Sequence, residues 1–142
     1  MITGHTALFG VIGHPVAHSR SPEMQNAAFA TAGIDAVYVA LPVAPAQVAG
    51  AVTGALALGF AGLNVTVPHK QAALPLCATL DPAAREVGAV NVLRRAASGW
   101  EGFNTDAPAL AALLEAAGVR PGARALLHGA GGAARAAAWA LA

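Results

Sequence analysis

The chain has 142 residues, 56% of them hydrophobic and 11% charged, with a formal net charge of +1. That length can bury one substantial core, and the composition is the reverse of the charge-rich, apolar-poor make-up of a disordered segment. The small net charge, with no basic cluster beyond Arg94–Arg95, gives nucleic acid little to hold, and the single cysteine, Cys77, cannot form an internal disulfide, which fits a reducing cytoplasm.

The N-terminal stretch MITGHTALFGV lacks the basic start and apolar core of a signal peptide. Ala7–Gly13 reads as a buried first strand, ended by His14-Pro15 and followed by the polar loop AHSRS. Ser21 is expected as the N-cap of a helix, with Pro22 at its first position and Gly33 just beyond its end. Ala36–Pro42 is a second strand, Ala46–Leu58 a second helix closed by Gly59, and Gly62–Val67 a third strand. Val37–His69 contains no Asp, Glu, Lys or Arg, yet Pro42, Pro45, Gln47, Thr53 and several glycines interrupt it. It therefore does not supply the ~20 predominantly apolar residues of a membrane span, and no membrane partner is expected.

After the third strand, a short helix is expected near Gln71–Cys77 and another at Pro82–Val87 capped by Asp81. Ala89–Arg95 and Trp100–Asn104 read as a hairpin, and Ala107–Ala117 as a helix ending at Gly118. Pro121-Gly122 is a turn, Arg124–His128 a strand, and Gly129–Ala142 the start of a helix. The β-α-β-α-β order predicts an α/β fold: a mostly parallel open sheet with helices on both faces. A boundary is expected between Gly118 and Gly122. Residues 1–120 then form one domain, and residues 121–142 supply the first strand and helix of a Rossmann-type domain that stops short.

Five stretches could carry chemistry. Ser19-Arg20-Ser21 gathers hydroxyls and backbone N–H groups at a helix N-terminus, which suits a carboxylate or phosphate; capping alone would also account for Ser21. Asn64 and Thr66 are two apart on the third strand and share a face, and Lys70, the chain's only lysine, follows the strand's carboxyl end. A lysine can act in both protonation states, which an arginine cannot. GAVNVL places Asn91 alone in an apolar run. Asn104-Thr105-Asp106 sits at a strand–helix junction, where Asp106 could pair with Lys70, or Thr105 or Asp106 could cap the helix. LLHGAGGAAR runs from an apolar segment through a Gly-rich turn into a helix, the pattern that lets backbone N–H groups approach a pyrophosphate; Gly129, Gly131 and Ala134 fit G-x-G-x-x-A. The five histidines are scattered without metal-ligand spacing, so no metal is expected.

In this order, GVIGHPVAHSRSP, NVTVPHK, GAVNVL, GFNTD and GAGGAAR resemble the signatures of the shikimate dehydrogenase family, from about Ala7 onward. The resemblance implies NADP-dependent reduction of 3-dehydroshikimate to shikimate, with Lys70 and Asp106 as the catalytic pair. It implies that Ser19, Ser21 and Thr66 bind the substrate carboxylate, that Asn64, Asn91 and Asp106 contact substrate oxygens, and that Gly129, Ala130, Gly131, Gly132 and Ala133 cradle the cofactor. Where the family's aspartate motif usually continues with glycines, this chain has Ala107-Pro108-Ala109. Family members are about twice as long, so a complete substrate domain with a truncated cofactor domain is expected, with little dehydrogenase activity of its own. The resemblance also leaves open an NAD-using quinate/shikimate dehydrogenase, a non-redox module that binds shikimate-like acids, and a homodimer.

Overall fold

The two seven-residue apolar runs, Ala7–Gly13 (β1) and Ala36–Pro42 (β2), pair in parallel along their whole length, Ala7 opposite Ala36 through Gly13 opposite Pro42. In this computed structural model, which describes residues 2–120 and 122–142, they join Gly62–Val65 (β3), Thr79–Leu80 (β4), Val92–Ala96 (β5) and Gly99–Phe103 (β6) in one sheet of order β2-β1-β3-β5-β6-β4. β1 pairs in parallel with β2 and β3, and β4 with β6; the β3–β5 and β5–β6 pairs are antiparallel. The expected hairpin is β5–β6, and with three of its five strand pairs parallel the sheet is mostly parallel, as expected.

Alternation along β1 sends successive side chains to opposite faces. Val11 packs with Tyr38 of β2 and with Val16, Phe9 and Phe29, the last from the helix Ser21–Ala32 (α1). Ile12 joins Leu63, Val65 and Leu93 with Val48, Val52 and Ala55 of the helix Val48–Ala57 (α2). Helices therefore cover both faces, as expected. Trp100 is buried against α2, its indole Nε1 donating to the Val52 carbonyl at 2.9 Å. The helices Pro82–Val87 (α3), Asp106–Ala116 (α4) and Gly132–Leu141 (α5) pack together at one end: Ala136 of α5 is buried among Val87, Ala89 and Ala107, and Trp139 Nε1 donates to Glu86 Oε2 at 2.5 Å.

Several elements differ from expectation. Ser21 is the first residue of α1, not its cap; Arg20 holds the cap position in a helical conformation with no side-chain cap bond. Gly33 does end α1 in the left-handed conformation, φ 66°. The expected helix at Ala46–Leu58 divides into a 3-10 turn, Pro45–Gln47, and α2. The third strand stops at Val65, level with Ile12 of β1 and one residue past its last partner on β5. Gln71–Cys77 makes only the 3-10 turn Leu74–Leu76, and the two-residue strand β4 follows it. Asp81 caps α3 as expected, its Oδ1 accepting from Ala84 N at 2.8 Å. Thr105 holds the position before the next helix, as one of the two expected residues, but makes no side-chain cap bond; Asn104 supplies it, its Oδ1 accepting from Ala107 N at 3.0 Å. Arg124–His128 is exposed and forms no strand, since among the described residues no strand lies beside it to take its backbone hydrogen bonds. Pro121 of the expected turn lies outside the described residues. No described helix is long and apolar enough to cross a membrane.

Candidate active site

β1 and β3 are adjacent and parallel, so the loops after them leave the same edge of the sheet. Between them lies a cleft of about 550 Å³ lined by Ser19 and Ser21 from the first loop and helix, and by Asn64, Thr66, Lys70 and Asn91. Six of the residues singled out from the sequence thus meet on one surface. The approach is close: a Cβ on Gly13 would sit 2.5 Å from Thr66 Cγ2, so only glycine lets the end of β1 pass Thr66. Two X–Pro bonds, His14–Pro15 and Val67–Pro68, are cis, and both border the cleft.

The cleft's polar groups are held before any ligand arrives. Ser19 Oγ accepts from Ser21 N at 3.2 Å, tightening the loop into α1. Lys70 Nζ donates to Asp106 Oδ2 at 2.6 Å; the lysine side chain is 14% exposed and the carboxylate 33%, so the ammonium is the drier partner. Asn91 Nδ2 donates to Asp106 Oδ1 and to Thr105 Oγ1, each at 2.8 Å, while Asn91 Oδ1 accepts from Thr105 N at 2.8 Å. Both amide hydrogens of Asn91 are therefore committed to the α4 junction, and what remains for a ligand is a lone pair on Oδ1. Asp106 bridges Lys70 and Asn91 through its two carboxylate oxygens and fixes both, with a third of its side chain still exposed beside them. His69, next to Lys70, is buried, and because a carbonyl oxygen only accepts, its Nε2 carries the hydrogen bonded to Val43 O at 2.7 Å.

Lys70 is the polar residue shared with a second cleft, of about 410 Å³, whose far wall is the Gly-rich turn Gly129–Ala134. A Cβ on Gly132 would lie 2.8 Å from Lys70 Cβ, so a glycine is needed where this turn meets the lysine. Gly129 has φ 121°, and Gly131 precedes α5 without a side-chain cap. The first N–H groups of α5 are thus unclaimed by side chains, and no Cβ blocks them at Gly131 and Gly132, an arrangement that fits a pyrophosphate. Ala130 and Ala133 belong to the same turn, but of these two only Ala133 lines the cleft.

Two residues in this network, Tyr38 and Asn26, escaped the sequence reading, and Asn104 and Thr105, singled out there at the strand–helix junction, take roles it did not assign. Asn104 bonds the Ala89 carbonyl at 2.9 Å and caps α4, and Thr105 locks Asn91. Tyr38 donates to Asn64 Oδ1 at 2.6 Å, and Asn26 brackets the backbone of Tyr38. The available signal for Tyr38 was a phenol in an otherwise aliphatic strand, AVYVALP, since a buried hydroxyl requires a partner.

Comparison with known proteins identifies the family. Residues 11–93 match the model of the shikimate dehydrogenase substrate binding domain. The chain is 74% identical over 141 residues to a shikimate dehydrogenase (NADP(+)) of Anaeromyxobacter sp. strain K, covering 99% of this chain and 51% of that protein. A crystal structure of shikimate 5-dehydrogenase from Thermus thermophilus in complex with NADP(H) and shikimate matches with TM-score 0.83 and 40% identity, over 96% of this chain and 52% of the other. A ligand-free 5-ketofructose reductase of Gluconobacter sp. strain CHM43 matches with TM-score 0.81 and 35% identity, over 98% and 50%. The chain spans about half the length of the curated relatives it matches. It belongs to the shikimate dehydrogenase substrate-binding-domain family.

Proposed function

We propose that this family member is the substrate-binding part of a cytoplasmic, NADP-dependent shikimate dehydrogenase, which interconverts 3-dehydroshikimate and shikimate. In this reading residues 1–120 hold the substrate and residues 121–142 contribute the phosphate-binding turn of a cofactor domain. One observation carries it: the Lys70–Asp106 pair stands where a cleft lined with hydroxyls and amides meets a cleft walled by a Gly-rich helix start.

Ser19, Ser21 and Thr66 bind the substrate carboxylate, and Asn64 and Asn91 contact its ring oxygens. Gly129, Ala130, Gly131, Gly132 and Ala133 hold the pyrophosphate of NADP, which when bound supplies or accepts the hydride. Reduction of the ketone leaves negative charge on its oxygen. The Lys70 ammonium stabilises that charge and gives the oxygen its proton. In the reverse direction neutral Lys70 removes the proton from the hydroxyl. Asp106 keeps Nζ aimed through the 2.6 Å contact, and Asn91 keeps Asp106 from turning away.

Calorimetric titration of the chain with shikimate tests the reading; saturable one-site binding is expected, and no binding overturns it. Turnover is tested in a chimera that joins Ala142 to the C-terminal half of the Anaeromyxobacter relative. There Lys70→Ala should lower kcat roughly 10²- to 10⁴-fold, the usual contribution of a positioned proton donor, with a much smaller change in KM. Comparable losses in both would make Lys70 a binding residue instead.

A further inference from the structure

We infer that Tyr38 is a positioning residue for the cleft: its hydroxyl fixes the Asn64 side-chain amide so that an N–H, rather than a carbonyl oxygen, faces the ligand. The inference rests on the reading of the cleft as a substrate site. Tyr38 lies on β2, which contributes no residue to the cleft lining, and its side chain is buried. Its hydroxyl is 2.6 Å from Asn64 Oδ1.

The orientation of that amide follows from its other neighbour. Asn64 Nδ2 lies 3.5 Å from the Asn91 carbonyl oxygen. A carbonyl can only accept, so the amide atom beside it must be the one that carries hydrogens. Oδ1 is then the atom turned toward Tyr38, and the phenol must donate. One hydrogen of Nδ2 is left over, and Asn64 lines the cleft. A ligand oxygen therefore meets a donor at this position. Remove the phenol, and only the long 3.5 Å contact to the Asn91 carbonyl is left to hold the terminal amide torsion, which has no sharp staggered minima, so the acceptor can turn inward. Burial pushes the Tyr38 phenol up to about 12, so it stays a donor across the physiological range.

Tyr38 is itself pinned. Its backbone N–H donates to Asn26 Oδ1 and its carbonyl accepts from Asn26 Nδ2, both at 2.8 Å. Asn26 belongs to α1, the helix whose first turn brings Ser21, Met24 and Gln25 to the same cleft. One run of hydrogen bonds, Asn26 to Tyr38 to Asn64, thus links the helix at one wall of the cleft to the strand at another, behind the surface the ligand touches.

The test uses the chain with Tyr38→Phe, Asn64→Ala and the double variant, titrated with shikimate and followed by NMR. Tyr38→Phe should bind roughly 3- to 10-fold more weakly, the scale of one hydrogen bond. The double variant should match Asn64→Ala within about twofold, because the phenol acts only through the amide. Losses that add, or unchanged affinity in Tyr38→Phe, overturn the inference. The chain has one tyrosine, so isotope-labelled tyrosine gives a single signal for the ring carbon bearing the hydroxyl. Asn64→Ala must shift that signal, and Tyr38→Phe must shift the Asn64 side-chain amide signals while leaving distant backbone signals alone. If the unmodified chain does not bind shikimate, the functional reading falls, and these signals still decide the Tyr38–Asn64 coupling. If Tyr38→Phe fails to fold, the tyrosine signal in Asn64→Ala decides it: an unmoved signal refutes the coupling.

Discussion

Two apolar runs in this chain lead into loops that matter, and they have opposite fates. Leu63-Asn64-Val65 lies between β1 and β5, its two apolar side chains each 2% exposed. Leu126-Leu127 before the Gly-rich turn is in no strand, and Leu126 is 97% exposed. Both read as strands by composition. The difference is whether a neighbour takes the backbone hydrogen bonds, so strand formation here is decided by tertiary context and not by local propensity. The functional counterpart is that the cleft after β3 is tied by side-chain hydrogen bonds from Asp106, Thr105 and Tyr38, whereas the Gly-rich turn meets Lys70 by packing at Gly132 and is anchored where α5 docks through Ala136 and Trp139.

The sharpest way to break that comparison is to make the same change in both runs. Leu63→Ala should cost about 2–5 kcal/mol, the loss of a fully packed side chain plus its cavity. Leu126→Ala should fall within about 0.5 kcal/mol of zero. Urea melts of the two variants read the difference directly. Similar losses would mean that Leu126 is packed in solution and that the two regions are alike.

What could be read from the sequence follows the same division. Where a residue's role depends on its immediate neighbours, the reading holds: Asp81-Pro82 starts a helix, and Gly33 ends one. The clustering of Ser19, Ser21, Asn64, Thr66, Lys70 and Asn91 was legible because two strands followed by polar loops must leave a parallel sheet at one edge. The rest depends on distant partners. β4 is two residues long, too short for any alternation to register. Asn104, not Thr105 or Asp106, supplies the side-chain cap bond because those two side chains bond Asn91 and Lys70, from other parts of the chain. Ser21 yields the cap position because Arg20 already adopts a helical conformation there.

A smaller perturbation acts at the junction of the two regions. Gly132 is where the Gly-rich turn touches Lys70, and a Cβ there would approach Lys70 Cβ to 2.8 Å. Gly132→Ala must push the turn away or shift the lysine backbone. Overpacking of this kind costs about 1–3 kcal/mol. Because β3 and its neighbours are the stiffer side, the turn should give way. In the chimera the KM for NADPH should rise more than that for 3-dehydroshikimate. The opposite order would show that the cleft, not the turn, yields.

One effect, silent at neutral pH, is confined to one side of the comparison. Burial pushes Cys77 from 9.0 up to about 11 and Tyr38 from 10.0 up to about 12, and both lie in the sheet-bearing region. Each holds its proton longer folded than unfolded. Above the ordinary values the unfolded chain loses protons that the folded chain keeps, so stability falls as pH rises. The contribution is intact below pH 9, is lost between about 9 and 11 for Cys77 and between about 10 and 12 for Tyr38, and adds no slope near neutrality. Cys77→Ala should therefore remove the first part of the alkaline decline and leave the second. The chain's two tryptophans let this be followed separately: Trp100 reports the sheet core and Trp139 the α5 contact. Residues 122–142 contain no cysteine or tyrosine. In Trp139→Phe the remaining Trp100 signal should show the pH 9–11 decline in the denaturant midpoint, and adding Cys77→Ala should flatten it. A decline of equal size in both would trace the alkaline loss to some other group, since the thiol is the only one that the added substitution removes.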